Sequence, residues 1–182
     1  VANYLPTTLT ILSTEDLSVA RILDVTDAGG TPSRVSAVYQ AAPRASFVLA
    51  LKDVPEIWEI ATDSEAPLFT SLVHGDEQGS DGAVRTEELF VRRRIKLRAP
   101  IEDFFFTMDY AHLIGASRDG ERGVVVDLIQ GREIAELPLG GMPHLGSGIS
   151  WERHGRRVLA TPHLREPMLS VIDTGSWQVV QE

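Results

Sequence analysis

The apolar residues of this chain fall into short runs rather than long stripes. Residues 7–12, 35–39, 47–51, 57–61, 113–116, 124–128, 133–137, 158–161, 169–172 and 177–180 are dominated by β-branched and aliphatic side chains. Turn formers stand between them: Asp27-Ala28-Gly29-Gly30, Asp119-Gly120, Gln130-Gly131, His154-Gly155 and Thr174-Gly175. Short apolar runs bounded in this way predict β-strands joined by tight turns. No segment has the spacing of a long amphipathic helix. Residues 15–21 fit either one turn of helix or the end of a hairpin.

The runs repeat. Arg118-Asp119-Gly120-Glu121-Arg122-Gly123 leads into Val124-Val125-Val126-Asp127, then Gln130-Gly131-Arg132-Glu133-Ile134. His163-Leu164-Arg165-Glu166-Pro167 leads in the same way into Ser170-Val171-Ile172-Asp173, then Thr174-Gly175-Ser176-Trp177. Asp127 and Asp173 lie 46 residues apart. Leu9-Thr10-Ile11-Leu12 and, about 48 residues on, Ile57-Trp58-Glu59-Ile60 fit the same scheme. The step from Ile60 to Asp127 is longer by about 20 residues, and the excess falls in a polar stretch near 74–92 that reads as an insertion. A period in the forties with several strands per unit points to β-propeller blades. The predicted fold is all-β: one partial propeller domain over 1–182, of about four blades, each an antiparallel four-stranded sheet. About half of a larger ring is expected, with apolar blade faces left for other blades or a partner to cover.

Composition bounds the rest. The 182 residues are 43% hydrophobic and 24% charged, ordinary for a globular domain. No run approaches the ~18 apolar residues that span a bilayer. The net charge of −9 argues against a nucleic-acid surface, which is normally basic. The basic cluster Arg92-Arg93-Arg94, with Lys96 and Arg98, reads as a solvated edge strand with its side chains split between two faces. No cysteine is present, so within these residues a disulfide, a thiolate zinc site, a covalently attached c-type haem and a cysteine nucleophile are excluded. The chain begins at Val1 without Met or a leader, and residues 1–6 already look like structured sequence. A piece of a longer protein is expected.

Candidate chemistry concentrates in Gly140-Gly141-Met142-Pro143-His144-Leu145-Gly146-Ser147-Gly148, between two predicted strands. Pro143 fixes φ and the glycines permit backbone angles other residues resist. An imidazole held in such a turn can bind a metal, or take and give a proton near neutral pH. Spacing alone favours an ordinary loop histidine; what surrounds the motif changes that balance. His74, His112 and His154 have no zinc spacing. No phosphate loop, nucleophile elbow or paired-carboxylate pattern appears.

Asn3-Tyr4-Leu5-Pro6, Pro43-Arg44-Ala45, Pro55-Glu56, the Gly140–Gly148 element and Ala160-Thr161-Pro162-His163, in that order, resemble the haem d1 propeller of the cytochrome cd1 nitrite reductase family. The likeness covers nearly the whole chain and is weakest over 74–98. Its most specific part is Gly-Gly-x-x-Pro-His-x-Gly-x-Gly. It implies a propeller of about eight blades with haem d1 at its centre, preceded by a cytochrome c domain, of which this chain supplies about half. In the family's nitrite reductases, two histidines above the iron protonate bound nitrite. One matches His144. The stretch matching the other is Asp103-Phe104-Phe105-Phe106-Thr107, with Phe106 where the second histidine would stand. Phe donates no proton, so this departure weighs against nitrite reduction. It favours the relatives that assemble the cofactor, the NirN-type dihydro-haem d1 dehydrogenases. These oxidoreductases carry a c-type haem and oxidise a propionate to an acrylate in the last step of haem d1 biosynthesis. The alternatives are a nitrite reductase with an altered pocket and a NirF-like non-catalytic haem d1 carrier or assembly propeller.

On this resemblance His144 is expected to be the catalytic base or a distal axial ligand to the haem iron, since imidazole serves both roles. Tyr4 matches a family tyrosine near the acidic side chains of the tetrapyrrole. Phe106 and Gly146 are expected at the cofactor, and Arg44 and Arg118 are candidates, by loop position, to pair its carboxylates. His163 also matches a family histidine, but a structural hydrogen bond between blades suits it better. The expected cofactor is haem d1, or dihydro-haem d1 as substrate, with a c-type haem in a domain outside this chain. The expected partners are the tetrapyrrole, the remaining blades, the cytochrome c domain, and nitrite reductase or other haem d1 assembly proteins. Neither nucleic acid nor a membrane span is expected. Electron transfer, a role in denitrification and a periplasmic location follow from the resemblance alone.

Overall fold

The computed structural model describes residues 1–63, 89–117 and 119–181. Their strands form four antiparallel sheets in chain order. Sheet I holds β1 (Ala2–Asn3), β2 (Thr8–Leu12) and β3 (Val19–Asp24). Sheet II holds β4 (Val35–Ala41), β5 (Ser46–Leu51), β6 (Glu56–Ala61) and β7 (Arg92–Lys96). Sheet III holds β8 (Ile101–Phe106), β9 (His112–Ser117), β10 (Gly123–Asp127) and β11 (Arg132–Leu137). Sheet IV holds β12 (Ile149–Arg153), β13 (Arg156–Pro162), β14 (Leu169–Asp173) and β15 (Gln178–Gln181). The only helices among the described residues are the short 3-10 turns Ala42–Arg44 and Leu145–Ser147, and no described helix is long and apolar enough to cross a membrane. Residues 15–21 lie in the β2–β3 hairpin rather than in a helix. The predicted insertion falls between β6 and β7, and residues 74–88 of it lie outside the described residues.

Each sheet is a meander whose spatial order follows the sequence. Neighbouring sheets approach most closely at their first strands, β4 against β8, and β8 against the turn that precedes β12. The later strands fan outward from that axis. This is blade packing, as the repeat predicted. Sheet I carries three strands where four were expected, and among the described residues none stands in it as β4, β8 and β12 stand in theirs.

Alternation along each central strand feeds two interfaces at once. In β10, Val124 and Val126 pack toward sheet II with Val48, Ile57 and Phe104, while Val125 packs toward sheet IV with Leu159 and Ile172. In β6, Ile57 joins the II–III cluster, while Trp58 and Ile60 join Leu9 and Val25 of the I–II cluster. A strand buried on both faces reads as a continuous apolar run, which is why β10 shows no polar alternation in its sequence. At the two ends this packing stops. β3 is largely exposed, with Ile22 at 59%, and the far face of sheet IV carries Val158, Ala160, Val171 and Trp151 as a separate cluster.

The turns repeat as well. The backbone N–H of the residue four positions on donates to the carbonyl of Ser13, Asp127 and Asp173, and those residues, Leu17, Gly131 and Trp177, all have φ between 55° and 69°. The Asp127 carboxylate accepts from the N–H groups of Ile129 and Gln130, and the Asp173 carboxylate from those of Gly175 and Ser176. These bonds hold the Asp173 carboxyl below its usual range, the Gly175 N–H contributing most. An Asp that receives its own turn's N–H groups is the physical reason that Asp recurs at the end of β10 and β14.

Charge is buried between sheets. Glu59 is fully buried and receives Arg44 (Nε–Oε1 2.7 Å), Arg93 (2.8 Å) and the Ser46 hydroxyl (3.0 Å). Both arginines also donate to the Leu128 carbonyl of sheet III. Desolvation lowers the Arg93 guanidinium from its ordinary value, opposed by Glu59. On the other face of β7, Arg94 bonds Glu56 (3.0 Å) and the Thr26 carbonyl (2.6 Å), with Arg92 and Arg94 over the Trp58 ring. The basic cluster does split across two faces, but it is not a solvated edge: the long side chains reach back from the outer strand into both interfaces. Truncating Glu59 to Ala leaves two guanidiniums short of their partner. Chemical denaturation is expected to show a loss of about 3–5 kcal/mol, and a loss below about 1 kcal/mol would rule out the cluster as a clasp between sheets II and III.

Candidate functional site

Antiparallel meanders send their turns to two rims. The turns β1–β2, β5–β6, β9–β10 and β13–β14 share one rim with the links between sheets, and the remaining turns form the opposite rim. The contacts agree: Arg34 of the first link bonds Asp53 and lies over the Tyr4 ring at 5.5 Å, whereas Arg44 reaches Leu128 on the opposite rim.

The Gly140–Gly148 element links β11 to β12 on the first rim and is stitched between two turns. Met142 N–H donates to Gly120 O (3.0 Å), His144 N–H to Pro162 O (2.8 Å), Leu164 N–H to Met142 O (3.0 Å) and Arg165 N–H to Gly141 O (3.1 Å). Gly141 has φ +69°, and a Cβ there would stand 3.0 Å from His163 Nδ1. His163 is buried, with Nδ1 2.5 Å from Gly140 O and Nε2 2.8 Å from Ser170 Oγ. A carbonyl only accepts, so Nδ1 carries a proton and donates to Gly140 O, while Nε2 bonds the Ser170 hydroxyl. His163 is a structural staple of the loop.

His144 is half-buried. Its Nδ1 lies 2.6 Å from Ser147 Oγ, and Nε2 has no hydrogen-bond partner among the described residues. The next residue, Leu145, is fully buried between sheets III and IV and anchors the turn. Gly146 N–H donates to Asp103 Oδ2 (2.6 Å), and Asp103 Oδ1 accepts from the Tyr39 hydroxyl (2.9 Å). A Cβ at position 146 would stand 2.8 Å from Asp103 Oδ2, so only glycine admits this approach. Burial first, then the bond to Asp103, pushes the Tyr39 phenol up to about 12. An imidazole oriented through one nitrogen, with the other left open, can accept a proton or ligate an ion. No group of three or more His, Asp or Glu able to hold a metal occurs among the described residues, so metal binding here would rest on a ligand that brings its own coordination.

A cleft of about 290 Å3 opens beside the start of β12, lined by Phe105, Phe106, Met108, Tyr110, Ile149 and Ser150 among others. Phe106 is 9% exposed, stacked on Tyr110 at 5.0 Å and edge-on to Phe104 at 5.5 Å. Its ring packs between sheets II and III while bordering the cleft. The flat apolar lining suits a conjugated ring. Tyr4, His144 and Gly146 share the first rim. Arg44 is on the opposite one, its guanidinium engaged by Glu59 and Leu128 rather than turned outward. Arg118 lies outside the described residues. Tyr39 and Asp103, which brace the His144 loop, were not singled out in the sequence. The available signal was Asp103, a carboxylate inside a strand just ahead of three phenylalanines.

The chain matches the cytochrome D1 heme domain family over residues 1–182. It is 41% identical over all 182 residues to the dihydro-heme d1 dehydrogenase of Pseudomonas aeruginosa, covering 32% of that protein. The solved structure of dihydro-heme d1 dehydrogenase NirN in complex with DHE superposes with a TM-score of 0.82 at 40% identity, over 99% of this chain and 34% of that one. The Cps50 (Swd1) β-propeller domain of Myceliophteria thermophila superposes at 0.61 with 9% identity, over 90% of this chain and 46% of that one, a likeness of fold alone. The chain thus spans about a third of the length of the dehydrogenases it matches.

The Tyr39–Asp103 bond has a pH signature. Below pH 10.0, the ordinary phenol value, Tyr39 is protonated in both folded and unfolded chains. Between there and about 12 only the unfolded chain ionises, so stability is lost as pH rises through that window. Melting temperatures are expected to fall more steeply there for the wild type than for Tyr39→Phe; parallel curves would contradict the assignment.

Proposed function

The chain belongs to the cytochrome D1 heme domain family, and on that premise we propose that it is the tetrapyrrole-facing segment of a dihydro-haem d1 dehydrogenase acting in the last step of haem d1 biosynthesis. The observation that carries this reading is the likeness to dihydro-heme d1 dehydrogenases over the whole chain, at 41% identity to the bacterial enzyme.

The reaction turns a –CH2–CH2–COO⁻ side arm into –CH=CH–COO⁻, releasing two protons and two electrons. In this reading His144 accepts a proton through its open Nε2 while the Ser147 hydroxyl holds Nδ1. The second proton would leave to solvent, and a c-type haem in another domain would take the two electrons one at a time. Tyr4, half-exposed on the same rim, is placed to donate its phenol to a substrate carboxylate. Gly146 keeps the loop tight against β8, and Phe106 gives the pocket an apolar wall. Ligating the iron through Nε2 would be the other role open to His144. The remaining blades, a cytochrome c domain and haem d1 assembly proteins are the partners this reading carries, with a periplasmic location and a role in denitrification. Nitrite reduction is not favoured, since Phe106 cannot supply the second proton that nitrite needs, and the likeness to dihydro-heme d1 dehydrogenases weighs against a carrier.

The test is conversion of dihydro-haem d1 by the full-length protein. His144→Ala is expected to lower kcat by about 10²–10⁴-fold while tetrapyrrole binding, followed by absorbance, persists. Turnover at the wild-type rate would exclude His144 as the base.

A further inference from the structure

Two buried side-chain polar atoms among the described residues lack a hydrogen-bond partner, Arg93 Nε in the II–III interface and Ser150 Oγ. Trp151, the next residue of β12, packs on the far face of sheet IV, so alternation turns Ser150 the opposite way, toward sheet III. There it lines the cleft shared with Phe105, Phe106, Met108 and Ile149. The neighbouring hydroxyl is already used: Thr107 Oγ1 donates to Asp109 at 2.7 Å. Tyr110 is only partly buried.

A buried hydroxyl without a partner is costly, and replacing it with a methyl of similar shape is neutral or stabilising. Beside an open cleft, an acceptor on a bound ligand would satisfy it. The described lining contains no cation, so a carboxylate drawn in here would be desolvated without a counter-charge. What fits is an uncharged oxygen acceptor at the edge of a flat apolar ring. We propose that Ser150 Oγ donates a hydrogen bond to such an oxygen on the periphery of the bound tetrapyrrole and so sets the ring's rotation in the cleft. This rests on the tetrapyrrole reading above. Ser150 is a positioning residue, taking no part in proton or electron transfer.

The experiment is an absorbance titration of the full-length protein with haem d1, alongside thermal melting, for the wild type, Ser150→Ala and Ser150→Thr. Ser150→Ala is expected to bind about 10-fold more weakly with an unchanged or raised melting temperature, and Ser150→Thr to recover affinity. Equal affinity in Ser150→Ala and the wild type would overturn the inference alone, leaving water as the hydroxyl's partner. Weaker binding with a lowered melting temperature would overturn it in favour of a structural role. Failure of the wild type to bind haem d1 would overturn the tetrapyrrole reading and this inference with it.

Discussion

A sheet with two apolar faces cannot stand alone, and that constraint organises this chain. β6 and β10 are buried on both sides because each separates two hydrophobic clusters. Such a sheet needs a neighbour on either side, which stacks the sheets around an axis and sends every turn to one of two rims. The buried carboxylates of β6 follow from the same constraint. Glu59 and Glu56 sit on opposite faces of one strand, in opposite interfaces, and each takes arginines from the adjacent β7. An arginine is long enough to leave an outer strand and still end in a protein-lined interior.

The candidate chemistry depends on the loops being short and heavily bonded. His144 is held by its own backbone bond to Pro162, by the buried Leu145 one residue on and by Ser147 at Nδ1. The same rim carries Tyr4, while Arg44 works on the other rim as part of the clasp between sheets II and III. One rim thus presents an imidazole and a phenol beside the Lys52–Glu102 pair, while on the other Arg44 bonds Glu59 of sheet II and reaches Leu128 of sheet III.

Much of this was legible in the sequence. The ten apolar runs fall on strands because their β-branched residues fit a pleated, buried surface, and the repeat appeared because each Asp that ends β10 or β14 caps its own turn. β12 was hidden: Ile-Ser-Trp-Glu-Arg mixes its polarity, since its first residues face a cleft and its last reach solvent. The arginines of β7 misled because a charge run is usually solvated, and nothing local says that Glu59 lies across the ladder from Arg93. Gly146 was visible as part of a motif, but its reason, the approach of a carboxylate from β8, is a contact over 43 residues that no local pattern encodes. Arg44 was read from loop position, and loop position does not reveal which way a guanidinium turns.

The Asp103 carboxylate joins β4, β8 and the loop into β12, so three sheets meet at one side chain. The histidine loop is thereby ordered before any ligand arrives. Binding then need not meet the conformational entropy of organising it, and more of the contact energy is left to show as affinity. The same bracing transmits disturbance, so a ligand that shifts the turn at Gly146 would also pull on the Tyr39 phenol of sheet II. The pocket's preorganisation and its sensitivity to strain in a neighbouring blade are two faces of one hydrogen-bonded carboxylate.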